Sequence, residues 1–259
     1  MRFDVITLFP ELFEPLLKQG ITRRAYESGQ VDVRLWQLRD FAEGQYRRVD
    51  DRPFGGGPGM VMLADPLYRC WQAIRADRAE SDPVPTVLFS PLGERISHPV
   101  VERFSGGAGA ILVCGRYEGL DQRFIDACVD VQISLGDFVL SGGEIAAMAL
   151  LDAVARLQPG VLNDEGSHQQ DSFNPALDGL LDCPHYTRPE VWQGPSGPVP
   201  VPEVLLSGHH ANIEAYRRQE RLRLTAGRRP DVLRAVREQG GLTARDERWL
   251  RDGLDNGGR

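Results

Sequence analysis

The chain has few cysteines and no long apolar segment. Its four cysteines, in 259 residues, are scattered, and none forms a Cys-x-x-Cys pair, so neither a zinc site nor a redox pair is indicated. We expect all four to be reduced and buried, as is usual in the cytoplasm. No apolar run approaches the roughly 18 residues that a membrane span requires, so no membrane partner is expected. The short apolar run at the N-terminus predicts a first strand rather than a signal peptide.

The common nucleotide-binding fingerprints are also missing. The densest glycine cluster, Asp50–Met60, lacks the Gly-Lys-Ser/Thr ending of a P-loop and does not match Gly-x-Gly-x-x-Gly. An NTPase or an NAD enzyme is therefore disfavoured. Composition alone favours a flexible loop here, while Asp50 and Arg52 leave contact with a substrate open. The histidines show no metal-ligand spacing, so no metal site is predicted from the residues.

Positive charge is scarce overall but concentrated in one place. The net charge of −7 argues against non-specific nucleic-acid binding by the whole surface. The segment Arg217–Arg237, in contrast, holds eight arginines and only two acidic residues. It could be a solvated helix face with salt bridges. It could equally be a surface that follows a phosphate backbone. Charge alone does not decide between the two.

The first part of the chain alternates strand-like and helix-like segments. Asp65 and Pro66 predict the start of a helix that runs to about Arg75. Ser141 and Glu144 have the spacing of a capping box before an apolar helix, 145–155. Alternating elements predict an α/β fold with a mostly parallel sheet. The predicted strands are Phe3–Phe9, Val31–Leu38, Thr86–Phe89, Ala110–Val113 and Val129–Leu135.

Glycine-containing loops follow three of these strands: Ser90–Gly93, Gly115–Gly119 and Leu135–Gly143. Glycine lets a ligand approach the main chain closely, and ligands of α/β proteins bind at the carboxyl ends of strands. The three loops together predict one pocket lined largely by main chain. Arg156 and Asp171 are not distinguished by spacing, since a basic residue suits the last turn of a helix and a linker carboxylate is usually solvated.

The character of the sequence changes after Leu162. We expect a first domain over 1–162, a flexible linker over 163–178 and a small helical domain over 179–259. A proline-rich passage opens this last region. Three helices are predicted after it: His210–Arg223, Asp231–Glu238 and Thr243–Asp252.

Several blocks in order resemble the bacterial tRNA (guanine-N1)-methyltransferase family of the TrmD type. The resemblance covers nearly everything up to about Leu206 and is looser beyond. Its blocks are Ile6–Glu11, Val49–Met60, Leu112–Gly119, Leu135–Glu144, Pro159–Leu162, Asp171–Phe173 and Gly179–Val191.

The resemblance implies a SPOUT-type α/β fold with a deep trefoil knot, followed by a helical tRNA-binding domain. The implied cofactor is S-adenosylmethionine, and Mg²⁺ is kept as a second candidate because family members are reported to depend on it. The implied product is 1-methylguanosine at position 37, 3′-adjacent to the tRNA anticodon. The implied assembly is a homodimer, with each active site completed by the partner's linker.

The family's site residues can be carried over position by position. Asp171 matches the general base that removes the N1 proton, and Arg156 matches the cation that stabilises charge on guanine O6. Cofactor-binding positions are matched by Leu88, Gly115, Tyr117, Glu118, Leu135, Gly136, Asp137, Phe138, Val139, Leu140, Gly142 and Gly143. Substrate-binding positions are matched by Asp50, Arg52, Gly57, Pro58, Arg116 and His185.

The chain departs from the family pattern at a few positions. Leu92 stands where many relatives have Gln, Phe138 where many have Tyr, and Ala146 where many have Pro. The segment from Asp171 to Gly179 is somewhat longer than usual. We expect altered cofactor affinity rather than lost function. Two alternatives remain open: an RNA-binding protein that has kept the fold and lost the chemistry, or a SPOUT methyltransferase for another RNA.

Overall fold

The computed structural model describes residues 1–78, 83–163 and 168–255. The chain divides into two compact units, Met1–Asn163 and Asp164–Arg259, which are described separately below. Within the described ranges, no helix is long and apolar enough to cross a membrane. All four cysteines are unpaired thiols in buried positions, which confirms the prediction of buried, disulfide-free cysteines.

The first unit is an α/β layer structure. Its strands are β1 (Arg2–Thr7), β2 (Asp32–Gln37), β3 (Asp50–Asp51), β4 (Val61–Met62), β5 (Thr86–Arg95), β6 (Gly109–Val113) and β7 (Val131–Ser134). Its α-helices are α1 (Glu14–Lys18), α2 (Arg23–Glu27), α3 (Ala64–Asp77), α4 (His98–Ser105), α5 (Gln122–Cys128) and α6 (Glu144–Arg156).

The main sheet has five strands in the order β2-β1-β6-β5-β7, and every neighbouring pair is parallel. The prediction of a mostly parallel sheet is thereby confirmed. Strand β6 is buried along its whole length, as expected where helices cover both faces of a parallel sheet. Ala110 and Leu112 pack with α6 on one face, while Ile111 and Val113 pack with α3 on the other.

Strand β5 differs from its prediction. It continues to Arg95 instead of ending at Phe89, and its register shifts on the way. Phe89 and Glu94 both pair with Ile133 of β7, so the residues between them bulge out of the ladder. Ser90–Gly93 is therefore a bulge within the strand rather than a loop after its end.

Two predicted helix starts are wrong. Helix α3 is preceded by Leu63 in the N-cap position, so Asp65 lies inside the first turn, where its carboxylate complements the helix dipole. Helix α6 has Gly143 as its N-cap and no capping side chain. The capping box of Ser141 and Glu144 does not form, because the Glu144 carboxylate turns toward other partners described below.

The second unit combines helices with one hairpin. Its helices are α7 (Glu203–Leu206), α8 (His210–Arg228), α9 (Pro230–Glu238) and α10 (Ala244–Asp255), and its strands are β8 (Val191–Gly194) and β9 (Gly197–Pro200). The antiparallel hairpin lies in the proline-rich passage, where no strand was predicted. The core of this unit contains Leu180, Leu222, Leu233, Val236 and Leu250. Most of the segment predicted to be a linker belongs to this unit, and residues 164–167 fall outside the described ranges.

Candidate functional site

A cavity of about 430 Å³ opens at the carboxyl ends of β5, β6 and β7 in the first unit. The bulge of β5 and the two loops after β6 and β7 form its walls. The size falls within the range of small-molecule sites, and the position is the one expected for a ligand of a parallel sheet. The three glycine-containing segments thus surround one pocket, as predicted, although Ser90–Gly93 lies within β5 rather than after its end.

All but one of the residues that the resemblance assigns to cofactor binding line the cavity. Asp137 does not line it; its carboxylate pairs with the guanidinium of Arg95. The residues that do are Leu88, Gly115, Tyr117, Glu118, Leu135, Gly136, Phe138, Val139, Leu140, Gly142 and Gly143. Leu92 and Ala146, two of the departures from the family pattern, also face this cavity.

The loops after β6 and β7 touch each other through their main chains. The Gly143 amide donates to the Gly115 carbonyl at 2.9 Å, and Arg116 and Gly142 form an antiparallel bridge. A Cβ on Gly143 would lie 2.9 Å from the Cα of Cys114, closer than real Cβ contacts allow. The pocket wall at this point therefore depends on the absence of a side chain.

A buried ion pair lies beside this contact. Glu144 is 1% exposed, and its Oε1 accepts a hydrogen bond from the hydroxyl of Thr7 at 2.9 Å. Arg116 places its Nε 2.9 Å from Glu144 Oε2 and donates from Nη1 to the Ser141 carbonyl at 3.2 Å. The guanidinium also lies over the ring of Phe9, 4.6 Å from its centroid. These contacts join the loops after β6 and β7 to the end of β1.

Sequence reasoning missed Glu144 and Thr7 in this role. Glu144 immediately precedes the apolar run of α6, and that spacing suggested a capping residue. A signal was nonetheless present, because a carboxylate next to a fully apolar helix is buried at a cost unless a cation meets it. The partner, Arg116, is 28 residues away in the sequence. Spacing rules within one helix could not identify it.

The cysteine behind the cavity is not a nucleophile. Burial, reinforced by the negative charge of Glu144, holds the pKa of the Cys114 thiol well above its usual value. The thiol therefore stays protonated and packs as a small apolar side chain.

Replacing Gly143 with alanine is expected to destabilise the first unit and weaken cofactor binding. The added methyl group overlaps the main chain at Cys114, which cannot move aside as a flexible side chain would. Overpacking of this kind costs about 1–3 kcal/mol. Thermal unfolding and calorimetry of ligand binding would measure the two effects.

Gly227→Ala is the matched control for that variant. Gly227 lies in α8, and a Cβ there would meet nothing within 4 Å. Alanine at this helical position is expected to stabilise the protein by about 0.5–1 kcal/mol without affecting the cavity. If both variants raise the melting temperature, the close approach at Gly143 is not a constraint.

Tyr117 has an unusual backbone conformation in the loop after β6. Its φ of 60° lies in the left-handed region, which bulky side chains rarely adopt. The ring is 45% exposed and lines the cavity. Strained residues of this kind concentrate where a side chain must be held ready for a ligand.

Composition alone predicts that the glycine cluster Asp50–Met60 is a flexible loop. Hydrogen bonds at one end of the cluster connect it to the loop after β6, which lines the cavity. Asp50 of β3 pairs with Met62 of β4, whose amide donates to the Gly119 carbonyl at 2.9 Å. The Glu118 amide donates to the Met60 carbonyl at 2.9 Å. Three of the other predicted substrate-binding residues, Arg52, Gly57 and Pro58, lie exposed between these strands. The predicted substrate segment is thus connected to the predicted cofactor loop.

The two predicted catalytic residues lie in different units. Arg156 is the last residue of α6 and is half-buried in the first unit. Asp171 belongs to the second unit, is half-buried, and directly follows a 3-10 helix at His168–Gln170. Its amide donates to the His168 carbonyl at 3.2 Å.

His185, the remaining predicted substrate residue, is exposed in the second unit. Its Nε2 lies 2.7 Å from Asp182 Oδ2. Burial opposes the ionisation of Asp182, but hydrogen bonds from the Cys183 amide and the His185 ring outweigh it, so the pKa of Asp182 is lowered. His185 therefore rests against a carboxylate that is ionised at neutral pH.

The basic segment Arg217–Arg237 spans α8 and α9 and is only partly available to a ligand. Five of its arginines pair with acidic side chains: Arg218, Arg221, Arg223, Arg229 and Arg237. Arg217, Arg228 and Arg234 form no ion pair within the part of the chain that the structure describes. Five of the arginines thus belong to a salt-bridged helix face, and the other three are available to a phosphate backbone.

Comparison with known proteins gives a consistent result. The sequence model of a family described as tRNA (Guanine-1)-methyltransferase TrmD matches residues 1–235. A tRNA (guanine-N(1)-)-methyltransferase of Polaromonas sp. is 70% identical over 258 residues, covering 99% of this chain and 98% of the relative. Proteins of the same name from Paracidovorax citrulli and Bordetella pertussis are 69% and 56% identical over 252 residues each. Those alignments cover 96% of this chain and 97% and 96% of the relatives.

Proposed function

We propose that the protein methylates N1 of guanosine in tRNA, with S-adenosylmethionine as the methyl donor. The proposal follows from the family, since this chain belongs to the tRNA (guanine-1)-methyltransferase family TrmD. The target is the guanosine at position 37, 3′-adjacent to the anticodon. The observation that carries the proposal is the family match over residues 1–235, which include the cavity, Arg156 and Asp171.

The cavity fits the proposed methyl donor. Its volume of about 430 Å³ suits a molecule of nucleoside size, and Leu88 and Ile133 supply apolar wall area for a base. A Cβ on Gly115 would lie 2.9 Å from Leu120 Cδ1, so a side chain there would require Leu120 to shift. When bound, S-adenosylmethionine supplies a methyl group on a sulfonium, which needs no metal to activate it.

The residues of this chain then have to accept the proton of guanine N1 and stabilise the negative charge that develops on the guanine. Guanine N1 carries a proton and is a poor nucleophile while it does, so we assign Asp171 as the base that accepts this proton as the N1–methyl bond forms. Removing the proton shifts negative charge onto O6. We assign Arg156 to donate hydrogen bonds to that oxygen, where a guanidinium is more effective than a neutral donor.

The finer structural features of the family form part of the proposal. They are a deep trefoil knot, a homodimer with active sites at the subunit interface, and tRNA binding by the second unit. The knot rests on the family match over residues 1–235. Ile145, an apolar side chain of α6 that is 51% exposed, supports an interface. A cytoplasmic location follows from the substrate.

Mass spectrometry of tRNA nucleosides tests the proposed activity. Incubation of the protein with unmodified tRNA and S-adenosylmethionine should produce 1-methylguanosine, and tRNA with another base at position 37 should remain unmodified. A methylated nucleoside from a different RNA would identify a related enzyme. No binding of S-adenosylmethionine by calorimetry would favour an RNA-binding protein without chemistry. A parallel reaction with a chelator tests whether Mg²⁺ is needed.

Neutralising the three arginines that form no ion pair among the described residues is expected to weaken tRNA binding. Arg217, Arg228 and Arg234 can each meet a phosphate without first breaking a pair with a carboxylate. Replacing them with glutamine should lower the affinity and reduce the slope of log affinity against log salt by about 2, since each phosphate contact contributes about 0.7–0.9. Binding titrations over a range of salt concentrations measure this slope.

The matched control replaces Arg223, Arg229 and Arg237, whose guanidinium groups pair with Glu220, Asp231 and Glu247. This triple variant removes the same formal charge but is expected to change the slope much less. An equal change in both variants would mean that total charge, not these positions, governs binding.

A further inference from the structure

The buried side chain of Asn174 links residues on both sides of Asp171 within one segment. Asn174 is 8% exposed, and its Nδ2 donates to the His168 carbonyl at 3.0 Å. Its Oδ1 accepts from the Ala176 amide at 2.9 Å and so caps the 3-10 helix Pro175–Leu177. Asn174 therefore binds the chain on both sides of Asp171.

The main chain of Asn174 adds three further contacts. Its amide donates to the Asp171 carbonyl at 3.2 Å, and its carbonyl accepts from Leu177 at 2.9 Å and Gly179 at 3.0 Å. Leu177 is 5% exposed. All polar groups of Asn174 are thus satisfied by partners between residues 168 and 179.

The neighbouring residues hold this small loop against the rest of the unit. Phe173 has a φ of 72°, a conformation that costs energy for a bulky residue and persists only where surrounding contacts enforce it. Its amide donates to the Leu180 carbonyl at 2.9 Å, and its ring lies 5.6 Å from the guanidinium carbon of Arg229. The Ser172 hydroxyl accepts from the Asp182 amide at 2.9 Å.

We propose that Asn174 is a positioning residue that fixes the main chain on both sides of Asp171. The inference rests on the proposed role of Asp171 as base. A base must lie within hydrogen-bond reach of the proton it removes, and a misplacement of about 1 Å can cost about 100-fold in rate. The polar groups of Asn174 are all engaged within this loop, so it acts through the backbone on both sides of Asp171. The longer spacing between Asp171 and Gly179 contains the turn that Asn174 caps.

Asn174→Ser separates positioning from folding. Serine is a good capping residue, so it can still accept from the Ala176 amide, but it is too short and lacks the amide donor for His168. The cap is retained while the link across Asp171 is lost. We expect a normal melting temperature, unchanged affinities for S-adenosylmethionine and tRNA, and a single-turnover methylation rate about 10- to 100-fold lower. Asn212→Ser, an exposed exchange of the same type in α8, should leave the rate unchanged.

A double-mutant cycle with Asp171→Asn gives the decisive readout. If Asn174 acts by placing the base, Asn174→Ser should cost nothing further once the base is gone, so the two effects should be strongly non-additive. Equal losses from Asn174→Ser in both backgrounds would overturn the inference, as would an unchanged rate in the single variant. A fully active Asp171→Asn protein would instead overturn the base assignment itself, and the two failures are thus distinguishable.

Discussion

Asp171→Asn is expected to lower the rate of methyl transfer by about 100- to 10,000-fold, the usual contribution of a general base. The amide keeps the size of the carboxylate but cannot accept the N1 proton, so N1 remains a poor nucleophile. Binding of S-adenosylmethionine should be unaffected, because the cavity at β5, β6 and β7 is built from the first unit alone. Single-turnover rates and calorimetry measure the two quantities separately.

Asp178→Asn is the matched control for this exchange. Asp178 lies in the same segment, and its φ of 55° is a conformation that asparagine adopts readily. Its carboxylate pairs with Arg218 at 2.7 Å, and Arg218 keeps a second partner in Asp246. The control should fold and turn over normally. Near-normal turnover by Asp171→Asn would show that another group takes the proton.

Arg156→Ala is expected to reduce turnover by about 100- to 1,000-fold, as when one donor to a developing oxyanion is removed. Arg156→Lys should recover only part of this loss, because an ammonium supplies charge without the planar donor geometry of a guanidinium. The alternative is that Arg156 merely complements the dipole of α6, which would contribute about 0.3–1 kcal/mol to stability and nothing to the rate.

Arg75→Ala distinguishes these roles. Arg75 occupies the last turn of α3 as Arg156 does in α6, so its replacement removes a basic residue from the last turn of a helix that does not line the cavity. Only Arg156→Ala should lose turnover; the stability lost by Arg75→Ala also includes the contact of its guanidinium with the Trp71 ring, 5.6 Å from the centroid.

Mixing the two inactive proteins tests whether subunits share a site. If Asp171 of one subunit serves Arg156 of the other, random exchange of Asp171→Asn and Arg156→Ala subunits restores about a quarter of the sites. No recovery after verified exchange would place both residues of a site in one subunit.

The parts of the fold that depend on short-range pattern could be predicted. Buried runs such as Ala110–Val113, separated by helical segments, are typical of a parallel sheet, and glycines at three predicted strand ends indicated where main chain would surround a ligand. The helices at the end of the chain were also found, because Pro230 and the glycines at 240 and 241 interrupt them clearly.

The parts of the fold and of the site that depend on residues distant in the sequence could not be predicted. Glu144 resembles a capping residue until Arg116 and Thr7 are placed beside it, and β5 resembles a strand ending at Phe89 until Ile133 of β7 is seen to pair twice. The hairpin at β8 and β9 is rich in proline and glycine, so local propensity argues against it. Which arginines of α8 and α9 remain available also depends on tertiary contacts, such as Arg237 with Glu247.

The contact of Gly143 with the chain at Cys114 and Gly115 has a consequence for inhibition. A competitive inhibitor held by the main chain at these positions would bind groups that exchanges of side chains, proline excepted, do not remove. Exchanges that add a side chain at Gly143 would damage the pocket for the natural ligand as much as for the drug. Resistance would then have to arise at cavity positions that tolerate different side chains, such as Leu92, which is 88% exposed. An inhibitor that avoids Leu92 and hydrogen-bonds to the glycine loops would leave few routes of escape.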